Sequence, residues 1–284
     1  MEVIVGKYAG FCGGVKIAIQ KTEDTLNNNE LVYCLGEVVH NKQVIEGLEA
    51  KGLKIVTLID EVPNNSKMII RAHGEPEKTY NIAISKNIEI IDTTCGNVKL
   101  IHDKVKKASK DSFVIVIGEK NHPEVIGTLG FAGENSYVIQ DEDDILDCYM
   151  EYEKTNLGKV YVVSQTTFSS KKFDELEKEI YTNFIEADVV VDKTICNATE
   201  IRQNECEKMA KEVDVMVVIG GKNSANTKKL VDISKANCEK VYWIQTVANL
   251  ENEKFDLNSK VGIIAGASTP NNIIEEVKSF LESK

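Results

Sequence analysis

"SFVIVIGEKNHPEVI", residues 112–126, reads as a short buried strand that passes through a glycine into a polar loop and then opens a helix. It has two counterparts. "LGEVVHNKQVI" (35–45) follows the apolar run "LVYC", and "IGGKNSANTKKL" (219–230) follows "VDVMVV". The three align without gaps at their cores, which puts His40, His122 and Ser224 at one position, separated by 82 and 102 residues. Internal similarity on this scale marks a repeated structural unit.

Two further series recur with it. "MIIRAHG" (68–74), "VYVVSQTT" (160–167) and "GIIAGAS" (262–268) are β-type runs ending in small or polar residues, with His73, Thr166 or Thr167, and Ser268 at the strand ends. "GFCGGVKIAI", "DTTCGNVKLI" and "KTICNATEIR" carry Cys12, Cys95 and Cys196, spaced by 83 and 101 residues. Each unit alternates Val/Ile-rich runs with helical periodicity, which predicts an α/β fold with a mainly parallel sheet in each of three units. Boundaries fall near 96 and 194, giving units 1–96, 97–194 and 195–284. Helices are expected over "FDELEKEIYTNFI", with Phe173, Leu176, Ile180 and Phe184 on one face, and over "TPNNIIEEVKSFLESK" behind Pro270. The acidic "QDEDDILDCYMEYEK" (140–154) reads as an exposed helix or loop.

The composition narrows the function. The 284 residues are 42% apolar and 28% charged, as in a globular enzyme. The net charge of −11 argues against a general nucleic-acid binder, which needs clustered Lys and Arg. No apolar run is long enough to cross a bilayer, and "MEVIVGKYAGF" is not a signal peptide, so a cytoplasmic location is expected. Seven cysteines, an odd number with no C-x-x-C pair, argue against a disulfide framework and against compact zinc or ferredoxin motifs.

Cys12, Cys95 and Cys196 each fall between a strand-like and a helix-like run, where a thiolate is favoured by the helix dipole and free N–H groups. Ligands of open α/β sheets bind at that end of the strands. Taken singly, each cysteine reads as a small buried residue. Their recurrence points instead to three thiolates converging about a pseudo-three-fold axis. Soft thiolates select zinc or an iron–sulfur cluster, and three ligands rather than four leave a position open for chemistry. Cys34, Cys148, Cys206 and Cys238 read as core residues.

Three of the four histidines sit at the repeat positions. His40, His73 and His122, with Ser224, Asn226 and Ser268, form a set of donors suited to a phosphate or diphosphate. His102, mid-helix in "LIHDKV", reads as an ordinary polar residue. In "NHPE", Pro123 holds His122 extended and starts a helix, leaving Glu124 in the first turn. Glu124 is either a favourable helix-start charge or, with Thr166 in relay, a general acid beside the open metal position.

Together "GFCGGV", "VVHN", "RAHG", "DTTCGNV", "KNHPEVIG", "SQTT", "TIC.AT..RQ", "KNSANT" and "GAS.P" closely resemble the 4-hydroxy-3-methylbut-2-enyl diphosphate reductase family, over essentially the whole chain. The resemblance implies a trefoil of three α/β units around a 4Fe–4S cluster held by Cys12, Cys95 and Cys196. The fourth iron would take the substrate's hydroxyl oxygen, which two electrons and two protons remove as water, giving isopentenyl and dimethylallyl diphosphate. It implies diphosphate binding by His40, His73, His122, Thr166, Ser224, Ala225, Asn226 and Ser268. It also implies proton delivery by Glu124 with Thr166 and His122, and a ferredoxin or flavodoxin as electron donor. Ala225 departs from the members that carry a second serine there, and C-terminal extensions found in some relatives have no counterpart. Two other readings stand beside this one. A lyase of the quinolinate-synthase type needs no external electrons, and an iron–sulfur redox sensor would bind no diphosphate.

Overall fold

A computed structural model describes residues 1–27 and 31–284. In chain order its elements are β1 (Glu2–Val5), α1 (Gly13–Leu26), β2 (Val32–Leu35), α2 (Lys42–Glu49), β3 (Leu53–Val56), β4 (Lys67–Ile70), α3 (Glu77–Ser85), β5 (Glu89–Asp92), α4 (Gly96–Ala108) and β6 (Phe113–Ile117). They continue with α5 (Pro123–Ala132), β7 (Ser136–Ile139), α6 (Asp144–Glu153), β8 (Lys159–Ser164), α7 (Ser170–Asn183) and β9 (Asp188–Val191). The last are α8 (Asn197–Glu212), β10 (Val215–Ile219), α9 (Ala225–Asn237), β11 (Lys240–Ile244), β12 (Lys260–Ala265) and α10 (Asn271–Glu282).

The strands make three four-stranded sheets, ordered β3-β2-β4-β5, β7-β6-β8-β9 and β11-β10-β12-β1, with every pairing parallel. This is the α/β class that the repeats predict. The three orders are the same order: second, first, third and fourth strand of a repeat. In the last sheet the fourth place is taken by β1, from the start of the chain, with Glu2 opposite Lys260 and Val5 opposite Ile263. The stretch 1–96 therefore opens with a strand that belongs to the sheet of the C-terminal repeat.

Contacts divide the chain into two compact units. Met1–Lys16, Val39–Gly47 and Asn197–Lys284 form one, around the sheet that contains β1. Ile17–Val38 and Leu48–Cys196 form the other, with the remaining two sheets.

The central strands are buried on both faces, because parallel sheets carry helices on either side. Side chains alternate across a strand. In the second unit Phe113, Ile115 and Ile117 of β6 pack with Phe173, Leu176 and Ile180 of α7. Val114 and Val116 turn the other way, to Ile101 and Val105 of α4 and Val125 of α5. The first unit repeats the pattern. Val215, Val217 and Ile219 of β10 meet Ile273, Ile274, Val277 and Leu281 of α10, while Met216 and Val218 meet Cys206, Met209, Leu230 and Val231. Each such side chain contributes about 1.5–3 kcal/mol on burial.

The four residues expected on one face of α7 are all buried. The acidic stretch 140–154 is less exposed than expected. Within it α6 buries Ile145, Cys148 and Tyr152 against β6 and α7, and Asp144 is buried as well, its Oδ2 accepting the Gln140 and Asp141 N–H groups at 2.8 and 3.3 Å. Among the described residues, no helix is long and apolar enough to cross a membrane.

Candidate functional site

The carboxyl ends of the strands carry the repeated residues. In each sheet the first strand leads to His40, His122 or Ser224, the third to His73, Thr166 or Ser268, and the fourth to Cys12, Cys95 or Cys196. Each sheet thus has one such cysteine behind its fourth strand.

The backbone at the three cysteines is tied in one way. The Cys95 N–H donates to the Ala72 carbonyl at 3.0 Å, that of Cys196 to Thr166 at 3.1 Å, and that of Cys12 to Ala267 at 3.1 Å. The acceptors match when the ends of β4, β8 and β12 are superposed. That register puts Thr167, not Thr166, at the position of His73 and Ser268. All three thiols are half-buried at helix starts, and Cys95 is the N-cap of α4. Cys34, Cys148, Cys206 and Cys238 are buried in the cores, as expected. Burial pushes the Cys34 thiol up to about 12 and that of Cys206 up to about 11, so neither ionises readily.

Glu124 and Thr166 are brought together in the second unit. The Thr166 N–H donates to Glu124 Oε1 at 2.5 Å and its hydroxyl to Oε2 at 2.8 Å. Glu124 is only 2% exposed. Burial raises its carboxyl to about 7 despite these two hydrogen bonds. His122 caps α5, its Nδ1 accepting the Glu124 N–H at 3.1 Å, and Pro123 is the first helical residue. Nδ1 being the acceptor, the neutral ring carries its proton on Nε2. His73 meets His122 edge to face, with ring centroids 5.4 Å apart. The loop of His73 is braced by Arg71, whose Nε donates to Glu75 Oε1 at 2.7 Å.

The first unit holds His40, Ser224, Ala225, Asn226 and Ser268. Ser224 caps α9 by accepting the Thr227 N–H at 3.3 Å, and Ala225 and Asn226 form the first helical turn. The Ser268 hydroxyl donates to the His40 carbonyl at 3.1 Å. Asn226 is 4% exposed, and among the described residues neither its amide nitrogen nor its carbonyl oxygen has a partner. A buried amide in that state costs free energy unless a ligand completes it.

Sequence reading missed His102 as a site neighbour. It is 4% exposed, stacked on Phe131 of α5 with centroids 4.4 Å apart, and its Nε2 has no partner among the described residues. A Cβ at Gly74, next to His73, would lie 2.6 Å from its Cε1, so the ring packs directly under that loop. Burial lowers its pKa to about 4, which keeps it neutral. The available signal was its place two helical turns after Cys95, on the face of Val98, Ile101 and Val105.

A family model described as LytB protein matches residues 3–282. The 4-hydroxy-3-methylbut-2-enyl diphosphate reductase of Clostridioides difficile (strain 630) is 41% identical over 290 residues, covering all of both chains. The solved structure of the E-1-hydroxy-2-methyl-but-2-enyl-4-diphosphate reductase from Plasmodium falciparum matches 99% of this chain and 87% of its own, at 30% identity and a TM-score of 0.88. A second solved structure, titled (E)-4-hydroxy-3-methyl-but-2-enyl diphosphate reductase, the terminal enzyme of the non-mevalonate pathway, matches all of both chains at 39% identity and a TM-score of 0.71. The chain belongs to the LytB protein family.

Proposed function

We infer that this chain is an oxidoreductase that removes the hydroxyl group of 4-hydroxy-3-methylbut-2-enyl diphosphate, giving isopentenyl and dimethylallyl diphosphate as the last step of the non-mevalonate route to isoprenoids. The observation that carries the reading is one half-buried cysteine, held by one and the same backbone hydrogen bond, behind the fourth strand of each of three like sheets. The donor set fits an iron–sulfur cluster: three soft ligands heading helices, set apart from four thiols buried in the cores. Cys12, Cys95 and Cys196 would hold a 4Fe–4S cluster. Such a cluster supplies electrons and Lewis acidity to the carbon–oxygen bond that breaks.

The rest follows from the protein's own groups. The substrate diphosphate takes hydrogen bonds from His40, His73, His122, Thr166, Ser224, Asn226 and Ser268, Ala225 offering its backbone. The amide of Asn226, buried without a partner among the described residues, supports this assignment. Fixing the diphosphate holds the reacting carbon in place, which is catalysis by positioning. Glu124 stores a proton near neutrality. Oε1 accepts the Thr166 N–H and, in the carboxylate, Oε2 accepts the Thr166 hydroxyl; once protonated on Oε2, Glu124 donates along that same contact to Thr166 Oγ1, whose own hydrogen is then free to move onward. One proton leaves with the hydroxyl as water and a second is delivered to the allylic carbon. Electrons come from a small carrier of the ferredoxin or flavodoxin type.

The test is anaerobic. Iron-loaded protein and a chemically reduced viologen should oxidise the dye only when 4-hydroxy-3-methylbut-2-enyl diphosphate is added, with both isomeric diphosphates as products. No oxidation by protein with an intact cluster would overturn the reading in favour of a lyase or a sensor.

A further inference from the structure

The three cysteine loops are not secured in the same way. Two residues before Cys95 and Cys196 stand Thr93 and Thr194. The hydroxyl of Thr93 donates to the Ile70 carbonyl at 2.6 Å and that of Thr194 to the Ser164 carbonyl at 2.6 Å, each at the end of its sheet's third strand. Two residues before Cys12 stands Gly10, which has no hydroxyl to offer. The loop from β1 to Cys12 is also longer, with six residues between Val5 and Cys12 against two between Asp92 and Cys95.

Helix α8 supplies the missing tie. Arg202, 3% exposed, donates from Nε to the Tyr8 carbonyl and from Nη2 to the Gly10 carbonyl, both at 3.0 Å, and from Nη1 to Ala198 of its own helix at 3.1 Å. One turn on, the Glu205 carboxylate accepts the Lys7 N–H at 2.6 Å and the Tyr8 N–H at 3.0 Å. The cation takes the loop's carbonyls and the anion its N–H groups. These are charge-assisted bonds, and the rigid guanidinium fork fixes direction as well as distance. Gly6 makes the approach possible, since a Cβ there would stand 3.0 Å from Glu205 Oε2 and 2.8 Å from Ile264 Cδ1. A buried guanidinium is costly unless its donors are met. Here two of its bonds are spent on the loop backbone.

We propose that Arg202 and Glu205 are positioning residues for Cys12, a clamp on α8 that does for the Cys12 loop what a threonine hydroxyl does for the other two. The inference rests on Cys12 being an iron ligand. Neither residue touches the iron or the substrate; both act through the loop that presents the thiol.

The test uses full-length wild type, Arg202→Ala, Arg202→Lys and Glu205→Gln. In iron-free protein, alkylation by iodoacetamide is followed peptide by peptide at Cys12, Cys95 and Cys196. In anaerobically loaded protein, iron loss to a chelator is followed by absorbance. Arg202→Ala should raise the Cys12 alkylation rate alone and speed iron loss by about 10- to 100-fold, the usual effect of removing a group that orients a metal ligand. Arg202→Lys should fall between wild type and Arg202→Ala. Glu205→Gln should shift both readouts the same way by less, and it decides the matter if Arg202→Ala does not fold. Unchanged Cys12 reactivity would overturn the clamp, as would an equal rise at all three cysteines, which signals general loosening. Failure of the wild type to take up iron would instead overturn the ligand reading, while the alkylation pattern would still decide the clamp.

Discussion

Glu124 and His102 are both buried, and their pKa values move in senses that give opposite pH dependences. The Glu124 carboxyl is raised from 4.5 to about 7, so its stabilising protonated form is fully present below about pH 4.5 and is lost as the pH climbs to about 7. The His102 imidazole is lowered from 6.5 to about 4, so its contribution is present above about pH 6.5 and is lost as the pH falls to about 4. Each amounts to about 3 kcal/mol over its window, and between pH 4.5 and 6.5 they oppose one another. Relative to wild type, Glu124→Gln should therefore gain stability as the pH rises through this range, and His102→Gln should lose it; urea unfolding at pH 5 and pH 6.5 measures both. Parallel slopes in the two variants would contradict the assignment. Glu124→Gln should also retain iron and bind substrate while turnover drops by about 10²- to 10⁴-fold, because an amide has no acidic proton to give. In the wild type, turnover should fall above about pH 7 as Glu124 ionises.

Strand-to-helix junctions are the elements to which the proposed chemistry is assigned, and they were also the most legible. Pro123 and the polar residue before it announced α5, and the structure adds that His122 is itself the cap. The alternation of Phe113 to Ile117 announced a strand covered on both faces. What the sequence hid were pairings that depend on distant chain. Nothing in "EVIV" says that β1 completes the sheet of β10–β12, because a four-residue edge strand has no period long enough to name its partner. Thr166 and Thr167 could not be told apart until the Thr166 hydroxyl was found on Glu124. His102 read as an ordinary polar residue because Phe131, which covers it, lies 29 residues further on. Caps whose side chains are given no part in the chemistry should affect folding alone. Ser169 caps α7 by accepting the Lys172 N–H at 3.3 Å, so Ser169→Ala should lower stability by about 1 kcal/mol in thermal unfolding and leave turnover unchanged. A large loss of activity would mean that α7 has a part in the site.

At the scale of the molecule, one topology is written three times, and the repeats differ in what they place on it. The cores are built from Val, Ile, Leu and Phe on strands and helices and include none of Cys12, Cys95 and Cys196. Iron-free protein should accordingly keep its far-ultraviolet circular dichroism and unfold cooperatively, with iron adding stability by mass action. A molten iron-free chain would show instead that the cluster builds the fold. The central claim is that these three cysteines, one to a sheet, make the reactive centre and the other four serve the cores. The measurement that tests it most directly is iron and sulfide per chain in anaerobically prepared wild type and in seven single Cys→Ser variants. We expect about four of each in the wild type, a sharp loss for Cys12→Ser, Cys95→Ser and Cys196→Ser, and near-full retention for Cys34→Ser, Cys148→Ser, Cys206→Ser and Cys238→Ser. Full retention in any of the first three, or a loss in one of the buried four from protein that remains folded, would contradict it.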